Sequence, residues 1–499
     1  MSEMIKVLVL EAEGKKYHVP EDIVIESSPY FQTKVKKPYD LVIIDKIPEK
    51  EELAFLYEAT KEYCLYITAD IQLQEEALQF FNRKMGKRIE KQEIPVFLQT
   101  EAKNYFPSSY GEKFGFNNFS ISQKFKGKIR WTGNYSVHLE GDFGEELKQI
   151  GFWRNNIPID KGQALELWLE YKKDANVELA LTVVHFASGT ISTVEQQWFF
   201  TQEDMKQPVI IDNRKSYGPI FVYLSARGKG TLDIIALHDR YSRRGHGYFI
   251  PGGERYVTSE REEVFAYFNP GDLKPPLHIY FSGYKTKQGF EGYHLMKSMK
   301  SPFLLIAEAR LEGGSFYLGS KEYEELLIGI MKKYRDQLGF TGSDVIMSGL
   351  SMGTFGALYY SPDLLPHSVV LGKPLASIGY IAENERIKRP SGFPTSLDVL
   401  KYVKNHYKKE DREEVNEIFW EKLEKVHWGD TKFVISYMIE DDYDSNAYQN
   451  LITRLDPKGI QIYGKGIHGR HNDNTYEIVR WYRSQLKKIL REDYNRRPV

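Results

Sequence analysis

Ser351 lies in the run SDVIMSGLSMGTFGALYY, inside the pentapeptide GLSMG. G-x-S-x-G places glycines two residues either side of a serine, the pattern of a nucleophile presented on a sharp strand-to-helix turn. A serine hydroxyl is a poor nucleophile near neutral pH. It needs an imidazole to take its proton and a carboxylate to orient and stabilise that imidazole. Both types occur later in the chain. KFVISYMIEDDYD ends in Glu440, Asp441, Asp442 and Asp444, and KGIQIYGKGIHGRHND carries His468 and His471. The order serine, acid, histidine, with each group following an apolar run, favours a site for acyl transfer over a structural turn. His185, His238, His246, His278, His294, His367 and His427 lack that late strand-to-loop position and read as structural. Neither H-E-x-x-H nor paired-cysteine spacing occurs, so no metal site is expected.

The elements around these residues fit that chemistry. VIM at 345–347 reads as a strand, Gly349 to Gly353 as a turn, and Thr354 onward as a helix. The N-terminus of such a helix offers backbone N–H groups to a developing oxyanion. Upstream, PLHIYFSGY and PFLLIAEAR read as strands. KEYEELLIGIMKKYRDQLG reads as a helix with Leu326, Ile330 and Tyr334 on one face, and the C-terminal helix has Ile478, Trp481, Gln485 and Ile489 on one face. Residues 246–499 therefore read as an α/β-hydrolase-like domain. A charged insertion at about 375–430, before the acid-bearing strand, reads as a cap.

Two further regions precede it. Residues 1–110 alternate apolar runs (IKVLVL, DLVIID, YCLYITAD) with a helical stretch holding Leu53, Leu56 and Tyr57. This is the rhythm of a small Rossmann-like α/β domain. No G-x-G-x-x-G follows its first strand, so no dinucleotide is expected. Residues 111–245 change to period-2 alternation, with Leu165, Leu167 and Leu169, then Val177, Leu179, Leu181 and Val183. Short strands and frequent turns point to a β-sandwich of jelly-roll type, carbohydrate-binding-like in character. Trp131, Trp153 and Trp198 could stack on sugars or simply fill core and rim.

The bulk properties exclude several classes. Across 499 residues the net charge is -1, which gives no field for nucleic acid. The one cysteine, Cys64, excludes an internal disulfide and fits a reducing compartment. No apolar run reaches the ~18 residues of a membrane span. The expectation is a cytoplasmic protein.

Together FSGYKTKQGFEG, EARLEGGSFYLGS, MSGLSMGTFGALYYS, EDDYD and GIHGRHNDN resemble the O-acetyltransferase component of the accessory Sec system of Gram-positive bacteria. The resemblance covers most of the C-terminal region and is weaker before residue 246. It implies a cytosolic enzyme, associated at most peripherally with the inner face of the membrane. Its partners would be other accessory secretory proteins and the accessory Sec motor ATPase. Its substrate would be N-acetylglucosamine on a serine-rich glycoprotein adhesin. It implies no bound cofactor, but an acetyl donor. Carried over residue by residue, it implies Ser351 as nucleophile, His471 as base and Asp441 as acid, with Glu440 as the alternative acid. It further implies an oxyanion hole at the turn Ser282, Gly283 and Tyr284 with the N–H of Met352. The segments Glu308–Arg310 and Glu312–Ser315 would line the pocket or form a Gly-rich loop with a salt bridge. Two other readings stand beside it: a carbohydrate or small-ester hydrolase using the same site, and an export scaffold in which the triad is not essential.

Overall fold

The computed structural model of the chain describes residues 4–12, 15–28, 37–190, 192–311, 313–387, 396–404, 409–455 and 459–496. It is a mixed α/β structure built on three sheets. The first has five parallel strands in the order Ile23–Ser28, Ile5–Glu11, Leu41–Asp45, Leu65–Thr68, Lys87–Ile89. Alternate residues of its central strands enter two separate cores, Val7, Val9 and Ile43 on one face, Leu8, Leu10, Val42 and Ile44 on the other. The helix Lys50–Ala59 covers the second face with Leu53 and Leu56. Burial on both faces explains why these strands read as continuous apolar runs. Cys64 is buried, which pushes its thiol up to about 12.

The second sheet is antiparallel and has ten strands. Its ten strands form one hydrogen-bonded network, because two long strands, Ser136–Trp153 and Gly218–Tyr241, link its parts. Residues 220–228 of the longer one pair with Val177–Phe186, and residues 232–241 pair with Ala164–Lys173. The change of partner falls at Gly228 and Gly230, whose φ values of +96° and +151° only glycine adopts cheaply. Leu165, Leu167, Leu169, Leu179 and Leu181 share one apolar core with Trp153. Trp131, by contrast, is 53% exposed and rests on Phe116.

The opposite face of Ala164–Lys173 is also buried, although its residues are Glu166, Trp168 and Glu170. Each has a partner. Glu166 accepts from Ser242 at 2.7 Å, Glu170 lies 3.2 Å from His238 Nε2, and Arg261 lies 3.6 Å above the Trp168 ring. Arg240 makes a bidentate pair with Glu263 at 2.8 and 2.5 Å. The last two contacts, of Arg261 and of Arg240 with Glu263, seat the second sheet on the third.

Asp239, on the same strand, is fully buried, and its Oδ1 has no partner among the described residues. Burial, opposed by the hydrogen bond from Tyr110, pushes its carboxyl up to about 7. The folded state thus binds this proton more tightly than the unfolded chain, whose carboxyl has a pKa of ~3.9. The associated stability is present below that value and is lost as pH rises through about 7. Asp239→Asn should remove this dependence. Between pH 5 and pH 8 the variant should gain on the order of 2 kcal/mol relative to wild type. Thermal melts of both proteins at the two pH values check this; parallel curves would refute it.

The third sheet has eight strands in the order Glu254–Val257, Glu263–Asn269, Phe303–Glu308, Leu277–Phe281, Val345–Leu350, Ser368–Gly372, Lys432–Met438, Gln461–Ile467. Its first two strands are antiparallel to their neighbours, and the other six run parallel. The segment expected as a cap forms the helices Ile378–Ile387, Ser396–Lys404 and Lys409–Glu424, between the sixth and seventh strands of the chain order. Part of it lies outside the described residues. Phe419 packs against Phe355, ring centroids 4.8 Å apart, so the third of these helices buttresses the helix that follows Ser351. Among the described residues no helix is long and apolar enough to cross a membrane.

Candidate active site

Ser351 stands between the strand Val345–Leu350 and the helix Met352–Leu364, with φ 52° and ψ -123°. A non-glycine residue in that conformation is strained, and the surroundings must hold it. Its N–H donates to the Gly372 carbonyl at 2.8 Å, and its carbonyl accepts from the N–H and hydroxyl of Thr354 at 2.9 and 2.6 Å. The flanking glycines are steric necessities. A Cβ on Gly349 would lie 2.3 Å from the Gly353 carbonyl oxygen, and one on Gly353 would lie 2.1 Å from that of Phe281.

His471 follows the last strand, and Asp441 follows the strand Lys432–Met438. Ser351 Oγ lies 2.8 Å from His471 Nε2, and His471 Nδ1 lies 2.8 Å from Asp441 Oδ2. An ionised carboxylate can only accept, so Nδ1 carries the ring proton and Nε2 is left to accept from the serine hydroxyl. The ring is 2% exposed and stacks on Tyr443, centroids 4.2 Å apart. The His471 N–H donates to Asp442 Oδ1 at 3.0 Å. Burial raises the Asp441 carboxyl. The His471 bond and charge and the N–H groups of Tyr443 and Asp444 outweigh it, and the carboxyl lies below the usual aspartate range. Lys373 Nζ donates to the Asp473 carbonyl at 3.0 Å and to Thr475 Oγ1 at 2.9 Å, tying the histidine loop to the sheet.

Glu440, the alternative acid, is placed elsewhere. It lies at the surface, 3.0 Å from His468 Nδ1, and accepts the Gly469 N–H at 2.5 Å. The two histidines of GIHGRHND thus take different carboxylates.

Of the oxyanion-hole candidates, Met352 is the first residue of its helix, where N–H groups have no intrahelical acceptor. Gly283 and Tyr284 line the same cavity of about 340 Å³ as Ser351 and His471. The Gly283 N–H, however, donates to Glu291 Oε2 at 2.6 Å, so in this structure a carboxylate holds the donor expected for the oxyanion. Glu291, Phe316, Lys373 and Tyr443 line this cavity without having been singled out from the sequence. Glu291 sits in GFEG and Tyr443 in EDDYD, two of the stretches that carry the resemblance.

Glu308 and Arg310 do not line this cavity. They form a buried ion pair in which Glu308 also accepts the N–H groups of Ser315 and Tyr317 at 2.8 and 2.9 Å. Their effect on the site is to fix the loop bearing Phe316. Glu312 lies outside the described residues.

A family model described as the accessory Sec system GspB-transporter matches residues 7–496. The chain belongs to the accessory Sec system GspB-transporter family. An accessory Sec system protein of Streptococcus gordonii is 36% identical over 463 residues, which cover 92% of this chain and 90% of that protein. The accessory Sec system protein of the same name from Staphylococcus aureus (strain NCTC 8325 / PS 47) is 40% identical over 391 residues, 78% of this chain and 75% of that one. A chain in the solved Glycosylation Associate Protein (Gap123) complex from Streptococcus agalactiae superposes with a TM-score of 0.90 at 31% identity. That match covers 99% of this chain and 100% of that chain. The GspB-transporter family therefore accounts for nearly the whole length, including the regions before residue 246, where the resemblance in sequence motifs is weaker.

Proposed function

We propose that this member of the GspB-transporter family is a serine-dependent O-acetyltransferase acting on N-acetylglucosamine of a serine-rich glycoprotein adhesin. The observation that carries the reading is the unbroken hydrogen-bonded series Ser351, His471, Asp441 on a strained strand-to-helix turn. The strand order of the third sheet, read in chain order as 1-2-4-3-5-6-7-8, supports it. The nucleophile follows strand 5, the acid strand 7 and the histidine strand 8, as in α/β-hydrolases.

In the first half-reaction Ser351 Oγ attacks the donor's acetyl carbonyl. His471 takes the hydroxyl proton and passes it to the leaving group. In the second, a sugar hydroxyl gives its proton to His471 and attacks the acetyl-serine, and Ser351 Oγ is released with that proton. A hydrolase would put water in the sugar's place. The experiment is mass analysis of adhesin glycans made with wild type and with Ser351→Ala. Acetylated N-acetylglucosamine should be present in the first and missing from the second; acetylation that persists would refute the assignment.

The family and the Gap123 match support association with other accessory Sec proteins; a cytoplasmic location and the motor ATPase as a further partner are part of the same proposal. None of the three triad residues comes from residues 1–245, so docking and catalysis should be separable. Ser351→Ala should keep adhesin export and partner pull-down. Phe199 is 55% exposed on the strand Val194–Thr201. Phe199→Glu should weaken partner association while an activated ester is still turned over. Loss of export in Ser351→Ala as complete as in a deletion would show that the two are not separable.

A further inference from the structure

A second cavity, of about 460 Å³, lies between the ten-stranded sheet and the loops that follow the strands Leu277–Phe281 and Phe303–Glu308. It opens at the C-terminal edge of the parallel strands, the edge at which open α/β sheets bind ligands. Nothing in the acyl-transfer chemistry of Ser351 uses it.

Its relation to the first cavity is set by one aromatic ring. Tyr284 lines the Ser351 cavity, and the next two residues, Lys285 and Thr286, line the second. Gly313 also lines the second, and the Tyr284 ring lies directly on it. A Cβ there would fall 2.0 Å from the ring, and the φ of +87° likewise demands glycine. The two cavities are thus neighbours across the Tyr284 ring.

The wall chemistry is specific. One side comes from the region of the second sheet, where Asn117, Asn118, Asn134 and Tyr135 line the cleft. The other side brings the Thr286 hydroxyl. Two cations, Lys113 and Lys285, also line the cleft, whereas the Glu308 carboxylate is buried against Arg310. Both lysines already donate to backbone carbonyls, of Ala309 at 3.2 Å and Phe290 at 3.3 Å. Carboxamides offer donors and acceptors together, which suits a neutral ligand bearing hydroxyls and amides better than an anion. The rear wall is preorganised. Gln288 accepts from Arg240 at 2.6 Å, donates to the Glu112 carbonyl at 2.7 Å and lies 2.9 Å from His238 Nδ1. The ordering cost of forming the cleft is therefore met by the fold, not by the ligand.

We propose that this cleft is a second acceptor subsite, which binds the sugars adjoining the one presented to Ser351, so that a neutral N-acetylated oligosaccharide lies across Tyr284. The inference rests on the acetyltransferase reading for the direction of the chain, and is tested by binding alone. Oligomers of N-acetylglucosamine with one to four sugars are titrated into the full-length Ser351→Ala protein by calorimetry. Affinity should rise by about tenfold or more between one and three sugars. Thr286→Trp, which fills the cleft, and the milder Asn117→Ala should each reduce that gain; thermal melts confirm that both remain folded. Equal affinity for one and four sugars, no binding of any oligomer, or a gain unchanged in both variants overturns the proposal. So does an unglycosylated serine-rich peptide that displaces the oligosaccharide and binds more tightly, which would make the cleft a peptide site. Labelling of wild-type Ser351 by a phosphonate is scored separately. If labelling fails while the length dependence holds, the catalytic reading falls and the cleft stands; the reverse result removes the cleft alone.

Discussion

Ser351→Ala is expected to abolish acyl-enzyme formation from an activated acetyl ester and to lower its turnover by about 10⁶-fold, the scale seen when a triad nucleophile is removed. A serine-directed phosphonate should label wild type and spare the variant. The loss should be chemical rather than structural. Ser351 is only half-buried, and alanine meets the same positive φ with the same Cβ, so backbone strain is unchanged. What disappears is one hydrogen bond to His471 Nε2, worth about 1 kcal/mol. The melting temperature should therefore move by only a few degrees. Equal labelling of the two proteins would place the reactive group elsewhere. A variant that fails to fold would mean that the serine is structural.

Much of this was legible in the sequence because it is local. Gly349 and Gly353 admit no Cβ, and the strand, turn and helix around them follow from a dozen residues. The helix faces were read less well. In the C-terminal helix the buried side includes Tyr482 and Leu486 beside Ile478 and Ile489, whereas Trp481 and Gln485 sit at its edge. Tyrosine and tryptophan are amphipathic, so their order along a helix does not say which one turns inward. The strands Ile23–Ser28 and Lys87–Ile89 gave no signal. The first is an edge strand with polar residues, and the second is the tripeptide KRI, placed by its neighbour rather than by its own pattern. Long-range pairings were out of reach as well. Glu166 and Glu170 look like the solvent face of an alternating strand, yet both are buried against partners that lie 76 and 68 residues away. The Gly283 N–H was expected to face an oxyanion. Glu291, eight residues on, takes it because the turn between them folds back, a geometry no spacing rule encodes.

The cluster EDD left two acids open, and the geometry separates them by burial and partner. Asp441 is 8% exposed and bonded to the ring proton of His471, whereas Glu440 is at the surface and bonded to His468. Asp441→Asn should therefore lower kcat by about 10³–10⁴-fold with little change in KM. The carboxamide can present its NH₂ to Nδ1, which favours the tautomer with hydrogen on Nε2. Ser351 then faces a donor instead of a base. The remaining contacts of position 441, the N–H groups of Tyr443 and Asp444, need only the carbonyl oxygen and survive the change. Glu440→Gln should alter kcat by less than about threefold, since an exposed ion pair contributes little. Steady-state kinetics of both variants with one activated ester decides between the acids. Equal losses would implicate the whole loop rather than one carboxylate. A larger loss in Glu440→Gln would mean that His468 and Glu440, not His471 and Asp441, carry the proton from Ser351.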